Sequence, residues 1–76
     1  MAHVAKVIEL VASSETSFDD AVRQGLAVAA ETVRGISGVE VVNWTADVAD
    51  NQIVSYKVTL HIAFRIEHQG RSPEPA

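Results

Sequence analysis

The clearest alternation of apolar and polar residues runs from Gln52 to Ile66. From Val54 onward every second residue is large and apolar, in the order Val54, Tyr56, Val58, Leu60, Ile62, Phe64 and Ile66. Because successive side chains of a β-strand point to opposite faces, these residues form one continuous apolar face. The stretch contains neither Pro nor Gly, so it is predicted to be the central strand of a small sheet.

Two further strands are predicted, at residues 4–11 and 39–48, and the second of them leads through an Asp50-Asn51 turn into the central strand. If Asp50 and Asn51 are the two loop residues, three facing pairs follow, namely Trp44 with Lys57, Val42 with Thr59, and Glu40 with His61. This register places all six residues on the sheet face that is turned away from the helix.

A helix is predicted between the first two strands. Ser17 has the position of an N-cap, and Asp19 and Asp20 place negative charge at the positive end of the helix dipole. Apolar or small residues recur at three- and four-residue spacing, at Phe18, Val22, Gly25, Leu26, Ala29 and Val33. The spacing predicts an amphipathic helix that continues through Arg34 and ends at Gly35. Gly25 indicates a place where backbone approaches backbone.

The predicted fold class is α+β, with a β-α-β-β subunit and a three-stranded antiparallel sheet in the order 1-3-2 packed on one helix. Residues 1–67 are expected to form a single domain, and residues 68–76, which contain two Pro and one Gly, a flexible C-terminal tail. The face of the sheet opposite the helix has no element of the same chain to cover it. A second copy of the protein is the expected cover.

Composition narrows the choice of function. The chain has 76 residues, no Cys and a net charge of −4, and its three His are scattered. Disulfides and thiolate zinc sites are therefore excluded, and sequence-independent binding of nucleic acid, which needs Lys/Arg clusters, is not expected. No apolar run approaches a membrane span, and the N-terminus lacks the pattern of a signal peptide, so the cytoplasm is the expected location. A hydrophobic core of this size rarely stabilises a chain by itself, so association with further copies is expected.

Several segments resemble the dodecin family. They are Lys6 to Val11, the helix start from Ser14 to Asp20, Glu40 to Val42, and Tyr56 to Phe64, and the similarity runs without gaps over about residues 3–67. The resemblance implies a β-α-β-β subunit, a hollow homododecamer, and flavin (FMN or riboflavin) bound at two-fold contacts for storage rather than catalysis. Flavin-free members that bind divalent cations such as Ca²⁺ are also implied.

The positions that contact flavin in the family differ here. By the resemblance, the Trp that stacks on the isoalloxazine falls at Gly38, and the Gln that contacts the ring falls at Lys57. Stacking on an aromatic side chain contributes about 1–3 kcal/mol per ring, so flavin binding is expected to be tenfold weaker or more. The candidate ligand-binding residues are Gly38, Glu40, Val42, Trp44 and Lys57.

Alternatives remain for each candidate. Trp44 is either an anchor between subunits or a relocated stacking platform beside Lys57, or it forms a cation–π contact with Lys57. Glu40 and His61 are an ordinary cross-strand pair or two ligands of a metal site that symmetry mates complete. The oxygens of Asp47, Asp50 and Asn51 suit Ca²⁺ but are also common in turns. No catalytic constellation is present, so an enzyme is not expected.

Overall fold

The computed structural model describes residues 4–66, which form β1 (Ala5–Ser14), α1 (Phe18–Ala30), β2 (Ile36–Ala49) and β3 (Gln52–Arg65). The three strands form one antiparallel sheet in the order β1-β3-β2, and α1 packs across one face of it. This arrangement confirms the predicted α+β class and strand order. The predicted tail at 68–76 lies outside the described residues, as do His3 and His68.

The core lies between the predicted apolar face of β3 and the helix. Val58, Leu60 and Ile62 are at most 1% exposed, and Ala21 and Ala29 of α1 are buried with them. Partly buried residues of the other strands complete the cluster, among them Ile8, Leu10, Ala12, Ile36 and Val41. The alternation along β3 therefore identified the core side of the sheet correctly.

The helix begins where the sequence predicts but ends earlier. Ser17 is the N-cap, and its hydroxyl accepts a hydrogen bond from the backbone N–H of Asp20 at 3.0 Å. The predicted end at Arg34 is wrong, because the helix stops at Ala30 in a tightened turn in which the amides of Thr32 and Val33 both donate to the carbonyl of Ala29. Gly35 does adopt the expected left-handed conformation, with φ of 74°.

A close approach occurs at Gly25, but to side chains of the sheet and not to backbone as predicted. A Cβ atom added at Gly25 would lie 2.8 Å from Cδ1 of Leu60 and 3.1 Å from the Cβ of Ala12. Leu60 is fully buried, so its methyl group has no free space to move into. The absence of a side chain at Gly25 thus allows α1 to rest directly on the sheet.

The β2–β3 hairpin follows the predicted register only at its two ends. Asp50 and Asn51 have φ of 53° and 63°, as a two-residue type I′ turn requires, and Glu40 faces His61 as predicted. Between these points the register shifts at two irregularities, between Val41 and Asn43 and between Asp47 and Val48.

The bulged register corrects the predicted facing pairs. Trp44 lies opposite Val58 rather than Lys57, and Thr59 lies opposite Asn43 rather than Val42. Because Val42 is the extra residue of a β-bulge, every residue from Asn43 to Asp47 is moved by one position, and a one-residue shift transfers a side chain to the other face of the sheet. Trp44 is consequently on the helix side, and the predicted Trp44–Lys57 contact does not form.

Candidate functional site

The open face, defined here as the side of the sheet opposite α1, consists of cross-strand rows. Each row takes one residue from β1, one from β3 and one from β2, because facing residues of antiparallel strands share a face. The rows are Val7, Ala63 and Gly38; Glu9, His61 and Glu40; Val11, Thr59 and Asn43; and Ser13, Lys57 and Thr45. The row of Val7, Ala63 and Gly38 is therefore apolar and flat, the next row is charged, and the two rows after it are mainly polar.

A shallow cleft of about 310 Å³ lies over the apolar row of the open face. Its floor is the row of Val7, Ala63 and Gly38, and Glu40 and His61 stand at one side. An added Cβ at Gly38 would meet no atom within 4 Å, so the backbone of β2 is bare at this point. A flat apolar floor beside hydrogen-bonding groups can hold a planar ring with polar edges.

The charged row beside the cleft is centred on His61. Its Nε2 lies 3.4 Å from Oε1 of Glu9, and its Nδ1 lies 3.7 Å from Oε1 of Glu40. Both carboxylates are more than 60% exposed, so they remain free to contact a ligand or a second chain. The predicted Glu40–His61 pair is confirmed, and Glu9 is a partner that the sequence analysis did not propose.

Lys57 lies away from the cleft within one chain. Ala63, the neighbour of Gly38, lies six positions beyond Lys57 along β3, which corresponds to about 20 Å along a strand. Its Nζ lies 3.8 Å from Oδ2 of Asp47, and both side chains are about half exposed. The two positions that differ from the family pattern, Gly38 and Lys57, thus share the open face but not one site in a single subunit.

Trp44 belongs to an aromatic cluster on the other side of the sheet. Phe18, the first residue of α1, makes edge-to-face contacts with both Trp44 and Tyr56, each with ring centroids 5.0 Å apart. Trp44 is nevertheless 57% exposed. Trp44 therefore does not lie in the open-face cleft, and its predicted role as an anchor between subunits stays a prediction.

Val42, the last candidate, is 48% exposed at the bulge of β2. It lies outside the set of residues that line the cleft. Sequence reasoning missed the two cleft residues Val7 and Ala63. The antiparallel pairing of β1 with β3, which was predicted, would have indicated them once its register was known.

A polar network fixes the junction between β1 and α1. Ser14 is buried, its hydroxyl donates to Oδ2 of Asp20 at 2.6 Å, and it accepts a hydrogen bond from the backbone N–H of Thr16 at 2.9 Å. The hydrogen bond from Ser14, followed by that from Gln24, lowers the pKa of the Asp20 carboxyl below its ordinary value of 3.8. Because these groups hydrogen-bond to one another, the network holds the end of β1 against the start of α1.

In the part of the chain from residue 4 to residue 66, no group of three or more His, Asp or Glu side chains is arranged so that it could hold a metal ion. The two carboxylates beside His61 contact opposite nitrogens of its ring. Within the same residues, no helix is long and apolar enough to cross a membrane.

Comparison with known proteins gives a consistent result. Residues 4–67 match the family model described as Dodecin. The dodecin of Thermus thermophilus is 33% identical over 67 residues, which cover 88% of this chain and 97% of that protein.

Solved structures agree with the sequence matches. The dodecin from Streptomyces coelicolor superposes with a TM-score of 0.81 at 31% identity, covering 88% of this chain and 96% of that one. A calcium-chelating protein of Mycobacterium tuberculosis, called calcium dodecin, superposes with a TM-score of 0.73 at 23% identity over 91% of this chain and 99% of its own, and it shares the fold.

Proposed function

The chain belongs to the dodecin family, and from this we propose that it is a cytoplasmic, non-enzymatic homododecamer that binds and stores a small planar ligand. A flavin, either riboflavin or FMN, is the first candidate ligand. The observation that carries the proposal is the open-face cleft, in which the bare backbone at Gly38 lies next to Ala63 and near the Glu40–His61 pair.

The residues of the cleft fit an isoalloxazine ring in shape and polarity. Val7 and Ala63 supply an apolar floor, and His61 and Glu40 line the same cleft with polar atoms that could hydrogen-bond to the edge of a ring. The bound flavin would supply the absorbing and redox-active ring, while the chain positions it and shields it from water. At a two-fold contact a second copy would close the cleft from above, since the same face of the partner lies opposite.

Binding is expected to be weaker than in relatives with an aromatic residue at position 38. The open face of this chain presents Gly38 and Lys57 where the family pattern has Trp and Gln, and its own Trp44 lies on the other side of the sheet. Without a stacking partner the ring loses roughly 1–3 kcal/mol of binding free energy. We therefore propose low-affinity, high-capacity storage.

Self-assembly is supported by the apolar surface that the subunit leaves uncovered. Val7 and Val11 on the open face are 55% and 61% exposed, and Val39, Val42 and Trp44 of β2 are also exposed. A subunit of this size has too small a core to be comfortably stable alone. Sister subunits are the proposed cover.

A fluorescence titration tests the ligand. Riboflavin and FMN lose fluorescence when their ring is shielded and stacked, so adding the purified protein should quench each of them in a saturable manner. Saturation at micromolar to sub-millimolar protein, abolished in a Val7→Glu variant that assembles normally, is the expected result. Unchanged fluorescence at millimolar subunit concentration would reject flavin as the ligand.

Cation binding is the second candidate, and the exposed carboxylates of Glu9 and Glu40 favour it. One subunit supplies only two of them beside His61, whereas Ca²⁺ takes six to eight oxygens. Two copies facing each other across a contact would supply four carboxylates. A rise in melting temperature with millimolar Ca²⁺ that Glu40→Gln removes, together with absent flavin quenching, is the result this alternative requires.

A further inference from the structure

The polar wall of the open-face cleft consists of hydrogen-bond acceptors. Of the residues that line the cleft, only Glu40 and His61 have polar side chains. An ionised carboxylate accepts hydrogen bonds at both oxygens and donates none. The Glu40 side chain is 74% exposed, and its Oε1 lies 3.7 Å from Nδ1 of His61, which is longer than a hydrogen bond. Both oxygens of Glu40 are therefore available to a ligand.

The imidazole of His61 does not supply a donor to this wall. Its Nε2 lies 3.4 Å from Oε1 of Glu9, and its Nδ1 faces Glu40. Whichever ring nitrogen carries the proton, that N–H is directed at a carboxylate. The backbone N–H groups of a sheet lie in its plane, so they do not point into the cleft either. The edge of a bound ring therefore meets acceptors on this side.

We propose that the cleft selects planar rings whose edge carries two adjacent N–H donors, as does the 2-amino-4-oxo edge shared by pterins and guanine. The ring N–H and the 2-amino group of that edge point in the same direction, so they match the two oxygens of the Glu40 carboxylate. Paired hydrogen bonds to an ionised acceptor are stronger and more specific in geometry than a single one.

A flavin ring matches the same wall less well. The pyrimidine edge of an isoalloxazine presents one N–H between two carbonyl oxygens, so one oxygen of Glu40 finds a donor and the other meets an acceptor. A polar group that loses water without gaining a partner costs free energy. The inference rests on the proposed function, the binding of a small planar ligand, and names the class of ring that the cleft holds most tightly.

Matched pairs of ligands test the inference on the full-length wild-type protein. Pterin and lumazine differ at C2, where lumazine has a carbonyl in place of the amino group, and inosine lacks the 2-amino group of guanosine. Equilibrium dialysis at pH 6.5, where these rings are uncharged, gives the four dissociation constants. The amino-bearing member of a pair should bind about tenfold more tightly, the order expected for one matched two-point contact. The pair with the larger preference distinguishes a pterin from a guanine ligand.

A Glu40→Gln variant provides the second measurement, because an amide offers one acceptor and one donor. The preference for the amino-bearing ligand should disappear in this variant. It should persist in Glu31→Gln, which removes the same charge at the exposed C-cap of α1, on the other side of the sheet.

Equal affinities within both wild-type pairs, or a preference that Glu40→Gln leaves unchanged, would overturn the inference. Riboflavin binding by the same protein would then leave the proposed function standing. If none of the five ligands, riboflavin included, binds at millimolar concentration, both proposals are rejected together.

Discussion

Gly38 is the residue that most directly controls what the open-face cleft can hold. It carries no side chain, and the space above it is empty to at least 4 Å. Any planar ligand would therefore rest on backbone and on small apolar groups rather than on an aromatic ring. The consequence for affinity can be measured by adding a ring at this position.

A Gly38→Trp variant should bind riboflavin about tenfold more tightly or better than the natural chain. The indole would supply a stacking surface, which contributes about 1–3 kcal/mol per ring in comparable systems. Equilibrium fluorescence titration measures the dissociation constants. Gly38→Leu is the matched control, since it adds apolar volume without a π-face. Equal affinities of the Trp and Leu variants would show that the ring does not lie over position 38.

Asp20 is the residue from which a dependence on pH follows. Its lowered pKa means that folding favours the ionised carboxylate, so the stabilisation is fully present above pH 3.8 and is lost as the pH falls through the lower pKa of the folded state. An Asp20→Asn variant should unfold more easily than the wild type at pH 7, and the difference should shrink below pH 3.8.

Urea unfolding at pH 7 and pH 3 measures this difference. Asp19→Asn is the control, because Asp19 contacts only the exposed side chain of Arg23, at 2.8 Å. A difference between Asp20→Asn and wild type that is the same at both pH values would contradict the proposed cause.

Individual residues were predicted from the sequence to very different degrees. Ser17 as N-cap and Gly35 in a left-handed conformation were correct, because each follows from local backbone requirements. The position of Trp44 was wrong, because it depends on a bulge at Val42 that no local signal marks. Register errors of one residue change the face of every side chain that follows.

At the scale of elements, the helix depends on its closeness to the sheet at Gly25. Gly25→Ala would gain roughly 1 kcal/mol of helix propensity, but its methyl group would overlap the buried Leu60 side chain at 2.8 Å. Overpacking of a core typically costs 1–3 kcal/mol. The variant should therefore be less stable than wild type by about 1 kcal/mol, measured by chemical unfolding.

The exposed helical residue Ala27 provides the comparison for Gly25. Ala27→Gly should lose about 1 kcal/mol through helix propensity alone. If Gly25→Ala proves more stable than wild type by that same amount, the close approach of α1 to the sheet does not constrain this position.

The elements themselves were largely predictable. The alternation along β3 and the spacing along α1 predicted the type and the core side of these two elements, and the strand order and the two-residue turn at Asp50-Asn51 were also predicted. The early end of α1 at Ala30 and the bulges of β2 were not predicted from the sequence. They depend on how the α1–β2 connection and the twisted β2–β3 hairpin fit the rest of the subunit. The cleft was missed in part because its floor spans all three strands.

At the scale of the whole molecule, we propose that this chain is one subunit of a closed homo-oligomer. The open face, the β2–β3 hairpin and the groove between α1 and β1 each carry apolar side chains that residues 4–66 leave uncovered. Assembly and ligand binding are linked in this proposal, because a second copy would close the cleft.

Native mass spectrometry of the full-length protein, with and without riboflavin, tests this claim most directly. We expect one closed species near 98 kDa, twelve times the subunit mass of 8.2 kDa, which gains mass in steps of one riboflavin. A species of one or two subunits at micromolar concentration, with riboflavin leaving its mass unchanged, would contradict it.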